Sequence, residues 1–111
     1  MNYDKDNIFA KIIKGDIPCD KVFENDHVLS FKDINPKAKT HILIIPKKPF
    51  LDISDFLKNA DSAHQIYFWK SVDEIIDNLA LRDKGFQIKT HKGKEGGQEV
   101  FHFHLHLLAD I

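Results

Sequence analysis

The spacing of apolar positions changes several times along the 111 residues, and each change marks an element. Near the start, Ile8, Phe9, Ile12 and Ile13 recur at helical spacing, Asp6 or Asn7 stands where it can cap the first amides, and Gly15 offers a left-handed stop. This predicts a short helix over about 8–14. Pro18 breaks the chain. Val22-Phe23 and the β-favouring stretch from His27 to Lys32 flank the turn pair Asn25-Asp26 and predict a two-stranded hairpin. Asp33 to Thr40 contains Asn35-Pro36 and no apolar period, so it reads as a loop. It leads into His41-Ile42-Leu43-Ile44-Ile45, closed by Pro46, a run too short and too β-branched for a helix and suited to a strand buried on both faces. From Asp61 or Ser62 to about Leu81 the period is helical, with Phe68, Val72, Ile75 and Leu79 on one side and Lys70, Asp73 and Asp77 on the other. Gly85 to Thr90 and Val100 to Leu108 predict two further strands joined by a Gly-rich loop. The order predicts an α+β fold, a five-stranded, mostly antiparallel sheet with one long and one short helix.

Composition agrees with a compact chain. With 42% hydrophobic residues, 30% charge, nine Phe and only five Gly and four Pro, disorder is excluded for most of the length, and a chain of this mass can bury about two thirds of its unfolded surface. One domain over residues 1–111 is expected. A net charge of −1 supplies no positive field for a nucleic-acid polymer or an anionic membrane. The single cysteine, Cys19, makes no internal disulfide or redox pair and reads as a small apolar residue in a reducing compartment. Asn2 to Asn7 lacks the order of a secretory signal, and no apolar run approaches the roughly 18 residues of a membrane span, so a cytoplasmic location is expected.

The seven histidines are the one unusual count. Three of them alternate in Val100-Phe101-His102-Phe103-His104-Leu105-His106-Leu107-Leu108. On a strand, His102, His104 and His106 would share one face and Phe101, Phe103, Leu105 and Leu107 the other, with neighbouring imidazoles about 6.6 Å apart and the outer pair roughly 13 Å apart. Such a row strains as three ligands to one metal. An adjacent His-X-His pair with His41 as third ligand nevertheless leaves a metal-dependent hydrolase open. Imidazole titrates near neutrality and can act as nucleophile, acid and anion binder in one pocket. The preceding loop, Lys92-Gly93-Lys94-Glu95-Gly96-Gly97-Gln98, lets backbone amides approach an anionic oxygen. Together, loop and histidine row point to phosphate chemistry.

The segment Gly96-Gly97-Gln98-Glu99-Val100-Phe101-His102-Phe103-His104-Leu105-His106-Leu107-Leu108 resembles the signature of the histidine-triad (HIT) family, and its Hint branch in particular. Ile8–Ile13, Phe31–Ile34 and Thr40–Lys47 resemble further segments of that branch in the same order, so the likeness covers nearly the whole chain. The resemblance implies a homodimer whose two sheets join into one. It also implies binding of purine nucleoside monophosphates, and metal-independent hydrolysis of phosphoramidates of the AMP-NH2 or lysyl-AMP type with no cofactor. Carried over by position, His104 would attack the α-phosphorus and form a nucleotidyl-histidine intermediate. His106 would bind phosphate and help protonate the leaving amine, and His102 and His41 would form a hydrogen-bond relay fixing the nucleophile's tautomer. His91, Gly97, Gln98 and Glu99 would contact the phosphate or leaving group. Asp33 would hold the ribose, and Ile8, Phe9, Ile12, Ile17, Phe31 and Ile34 would form the apolar slot for the purine.

Three positions depart from the branch. His91 stands where Asn is usual, Glu99 where animal members often have Ser and bacterial members Glu, and the chain ends at Ala109-Asp110-Ile111, where relatives commonly carry two glycines and a tail reaching across the dimer. Any specificity supplied by such a tail is expected to be absent, and Glu99 points to a bacterial type. These departures keep open a nucleotide-binding sensor or interaction module with little turnover. His27 and His64 have no partner by spacing and are expected at the surface. His106 argues against the branches that cleave dinucleoside polyphosphates, which typically carry Gln there.

Overall fold

The computed structural model describes all residues from Met1 to Ile111. The elements run α1 (Ile8–Lys14), β1 (Lys21–Glu24), β2 (Val28–Lys32), β3 (Thr40–Pro46), α2 (Ile53–Asn59), α3 (Ser62–Asn78), β4 (Gln87–Lys89) and β5 (Leu105–Ala109). The five strands form one antiparallel sheet in the order β1-β2-β3-β5-β4. The expected α+β architecture is therefore present, with one helix more than the periodicity showed.

Local chemistry sets the element ends. Asn7 caps α1 by accepting from the Ala10 amide, and Gly15 at φ 85° closes it. In the β1–β2 turn, Asn25 Oδ1 accepts from the His27 and Val28 amides. The unexpected helix α2 is capped by Asp52, whose carboxylate accepts from Asp55 N–H while Asp55 accepts from Leu51 N–H. Only Phe56 of its seven residues is buried, so it has too few apolar positions to show a period. The long helix α3 begins after Asp61 and stops at Asn78, short of Leu81. There Ala80 takes φ 58°, and the Leu81 and Ala80 amides bond back to Ile76 and Asp77.

Strand parity divides the apolar residues between two faces. Val28 of β2, Ile42 and Ile44 of β3, and Leu105, Leu107 and Ala109 of β5 join α2 and α3 in a cluster of 14 buried residues that includes Phe56, Phe68 and Phe103. The alternate residues Leu29, Phe31, Leu43 and Ile45 meet Phe9 of α1 in a cluster of only five. Because α1 is a seven-residue helix, it leaves part of this second face open, and His41 of β3 and His106 of β5 fall on it by the same parity.

The terminal strand differs from expectation. It begins at Leu105 rather than Val100, because residues 100–104 direct their bonds away from the ladder: Phe103 N–H donates to Phe50 O at 2.7 Å, and the His102 ring to Pro46 O at 2.7 Å. Similarly, β4 holds three residues rather than the expected six. The histidines are consequently not one exposed row: His102 is fully buried. No helix is long and apolar enough to cross a membrane.

Candidate active site

The open part of the α1 face is a cavity of about 810 Å³. It brings together Ile8, Phe9 and Ile12 of α1, Ile17 after it, Phe31 of β2, Asp33 and Ile34 of the following loop, His41, His91, Gly97, Glu99, His104 and His106. Thirteen of the fifteen residues singled out from sequence thus line one space. The other two, Gln98 and His102, turn into the scaffold. Gln98 is buried, its Oε1 accepting from Gly93 N–H and its Nε2 donating to Leu51 O and Val100 O, so it braces the Gly-rich loop rather than facing an anion.

That loop is closed by its own bonds. Gly97 N–H donates to Lys94 O and Gln98 N–H to Gly93 O, so neither amide is free for a phosphate, whereas the Glu99 and Val100 amides have no backbone partner. Two glycines are required here. Gly97 sits at φ 85°, and a Cβ on Gly96 would run into the Lys92 carbonyl oxygen.

Donor and acceptor accounting fixes the proton on each central imidazole, because a backbone carbonyl only accepts and a backbone amide only donates. His104 Nδ1 lies 2.7 Å from His102 O, so Nδ1 carries the hydrogen and Nε2 of the neutral ring keeps its lone pair. His102 Nε2 donates to Pro46 O, which leaves Nδ1 to accept from the Tyr3 hydroxyl at 2.6 Å. Lys37 N–H donates to His41 Nδ1 at 3.0 Å, so His41 carries its hydrogen on Nε2 and directs it to His106 Nδ1 at 3.0 Å. Neutral His106 then carries Nε2–H. The expected relay is therefore split: His102 supports the nucleophile candidate through its backbone carbonyl, and His41 is bonded to His106 instead of to His104.

Burial favours the neutral form of all four rings. It pushes His102 down from the ordinary 6.5 to about 4, against the pull of the Pro46 carbonyl. His106 is also lowered to about 4, by burial and then by the neighbouring imidazoles of His104, His41 and His91. Burial lowers His104 and His41 as well, although Asp33 opposes it at both. Phe9 stands edge-on to His104 with ring centres 4.9 Å apart, walling the imidazole from solvent. His91 meets His106 edge to face at 5.3 Å. Asp33 Oδ1 accepts from Asn35 N–H and Oδ2 lies 3.3 Å from His41 Nε2. Ile34 is 88% exposed at the rim, and Cys19, half-buried beside the small apolar cluster, has its thiol pushed up by burial.

Asp33, His41 and His106 offer ligand atoms within 4.8 Å of one another. These residues do not suit a metal ion. Nε2 of His41 is protonated while the Lys37 amide occupies Nδ1, and binding a cation there would set two N–H groups against each other. The outlying histidines are partly exposed, in line with the expected surface position, but they are not without partners. His27 stacks on Tyr67 at 4.1 Å and 15°, and His64 Nδ1 bonds Asp61 at 2.7 Å, so both have partners on the far face.

Sequence reasoning missed Tyr3 and the Lys37 amide. The first lies 99 residues from its partner, and the second is a backbone group, so neither leaves a signal in residue spacing.

Comparison with known proteins follows the same outline. A family model described as "HIT domain" matches residues 14–110. An uncharacterized HIT-like protein of Azospirillum brasilense is 42% identical over 107 residues, covering 96% of this chain and 88% of that one. The crystal structure of a HIT family hydrolase from Legionella pneumophila superposes with a TM-score of 0.86 at 38% identity, covering 96% and 94% of the two chains. A histidine triad nucleotide-binding protein from Candida albicans gives 0.80 at 33% identity, covering 91% and 72%.

Proposed function

The chain belongs to the HIT family, and we propose that it is a nucleotide-binding hydrolase that cleaves the P–N bond of purine nucleoside 5′-phosphoramidates through a nucleotidyl-histidine intermediate. The observation that carries the reading is the His104 ring, whose Nδ1–H is held by a carbonyl while Nε2 keeps a lone pair at the cavity. A neutral imidazole fixed in this tautomer is a competent nucleophile.

In the first step the Nε2 lone pair forms a bond to phosphorus. The P–N bond breaks with its electron pair on nitrogen, and the leaving amine takes a proton. His106 is the donor nearest that event. Empty, it is neutral, but an anionic phosphate beside it favours the protonated ring and so supplies the proton. Positive charge developing on His104 is met at Nδ1–H by the His102 carbonyl. Water then attacks phosphorus and gives a proton to the now neutral His106, the His104–P bond breaks with its pair returning to Nε2, and nucleoside monophosphate leaves. Asp33 accepts from the ribose hydroxyls, and Phe9, Phe31 and Ile34 hold the purine through apolar contact. His91 and the Glu99 backbone contact the phosphate or leaving group. The reading is supported by the likeness to the Legionella hydrolase and the Candida nucleotide-binding protein. It includes a single domain, a cytoplasmic location and a homodimer. Exposed Ile66 and Trp69 on α3, together with the edge strand β4, are suitable material for a two-fold contact.

Release of AMP from adenosine 5′-phosphoramidate tests the proposal. The wild type should turn over with or without chelator, and His104→Ala should lose about 10³-fold or more in kcat while still binding AMP. Binding of AMP without turnover by the wild type would instead make the protein a nucleotide sensor, and loss of activity to chelator would restore the metal-dependent reading.

A further inference from the structure

We infer that Tyr3 is a positioning residue for the His104 nucleophile, acting through the buried ring of His102; the inference rests on the role proposed above for His104. Residues 100–104 lie outside the sheet ladder, and Phe103 N–H to Phe50 O is the one backbone bond donated from this stretch. Side chains of Gln98 and Thr90 hold the carbonyls of Val100 and His104 on either side, and residue 102 itself is held by its side chain, clamped at both ring nitrogens.

On one side Nε2–H donates to Pro46 O at the end of β3, and on the other Nδ1 accepts the Tyr3 hydroxyl hydrogen at 2.6 Å. The Tyr3 ring packs edge to face on the same imidazole, with centres 5.7 Å apart. The clamp matters because the carbonyl of His102 receives Nδ1–H of His104 at 2.7 Å. A turn of the residue 102 side chain that carries its backbone with it would release that hydrogen, and the His104 proton would then be free to move to Nε2 and quench the nucleophile. Phe9 walls both rings, at 6.4 Å from His102 and 4.9 Å from His104, so it cannot replace the bond Tyr3 makes.

His102 has no exposed surface, so no water can take over from the hydroxyl without the site opening. The N-terminal segment, otherwise irregular and exposed before α1, is thereby tied to the catalytic loop at the opposite end of the sequence. This is a role separate from packing, because Tyr3→Phe keeps the ring and deletes only the hydrogen bond.

The test uses the full chain, labelled with nitrogen-15, at neutral pH. Ring spectra of the wild type should show His104 with hydrogen on Nδ1 and His102 with hydrogen on Nε2 and an accepting Nδ1. In Tyr3→Phe the His104 Nδ1–H signal should be lost to exchange or divided between both nitrogens. With adenosine 5′-phosphoramidate, kcat should fall about tenfold with KM within about twofold, the mark of a misplaced reacting group rather than weakened binding. An unchanged His104 signal with unchanged kcat, even in a less stable protein, would overturn the inference. So would a wild-type His102 whose Nδ1 accepts no hydrogen bond, a result that does not depend on whether the variant folds. If the wild type fails to release AMP, the proposed reaction falls, while the ring spectra still decide the role of Tyr3.

Discussion

On the α2–α3 side of the sheet, 14 side chains close into one apolar cluster; on the α1 side only five do, and the rest of that face is a hollow where imidazoles and carboxylates stand among apolar side chains. The same strands build both. Ile42 and Ile44 point one way and His41, Leu43 and Ile45 the other, so alternate positions of one strand serve stability and chemistry separately. The site exists because a short helix covers a wide sheet face incompletely. Polar groups on that face are partly dried, and backbone groups fix the bonding partners of His41 and His104.

The comparison can be broken first on its well-packed side. Phe56 is fully buried against Phe50, Phe68 and Phe103, with ring centres 5.3, 5.1 and 4.9 Å away. Phe56→Ala should cost about 3–5 kcal/mol in chemical denaturation, with KM for a phosphoramidate unchanged in the folded fraction. On the other side the cost is written in pH. His102 is lowered from 6.5 to about 4 in the folded protein, so below its unfolded value the unfolded chain binds more protons and stability falls as the pH is lowered. The contribution is fully present above the ordinary histidine range and shrinks by up to about 3 kcal/mol on acidification towards the folded value. Urea titrations across this window check it, and His102→Asn should make the curve shallower without levelling it, because His106, also lowered to about 4, adds a dependence of the same sign. The smallest effect sharpens the contrast. Asp33→Ala should raise KM by about tenfold, close to 1.4 kcal/mol, while leaving the unfolding midpoint nearly unchanged, because its side chain lines the hollow rather than the core.

Much of this division was legible in the sequence, for definite reasons. Asn7 and Gly15 bracket α1, Asp61 starts α3, and the run from His41 to Ile45 is buried on both faces, since capping and periodicity act over a few residues. The site list was legible through the histidine spacing and the family likeness. What was not legible depends on distant partners. His102 looked like one of a row, and only Pro46 and Tyr3 turn it inward. Gln98 looked like an anion contact until Leu51 engaged its amide. The role of His41 follows from the Lys37 amide, a backbone group invisible to residue type.

The central claim is that His104 Nε2 becomes covalently bonded to phosphorus. Mixing the protein with adenosine 5′-phosphoramidate, quenching in alkali within the first turnover, and mapping the nucleotidyl group by peptide mass spectrometry tests it most directly. The account predicts an adenylyl group on His104 that forms and decays at rates compatible with turnover and is missing in His104→Ala. Steady release of AMP with the group on another side chain, or on none, would contradict it.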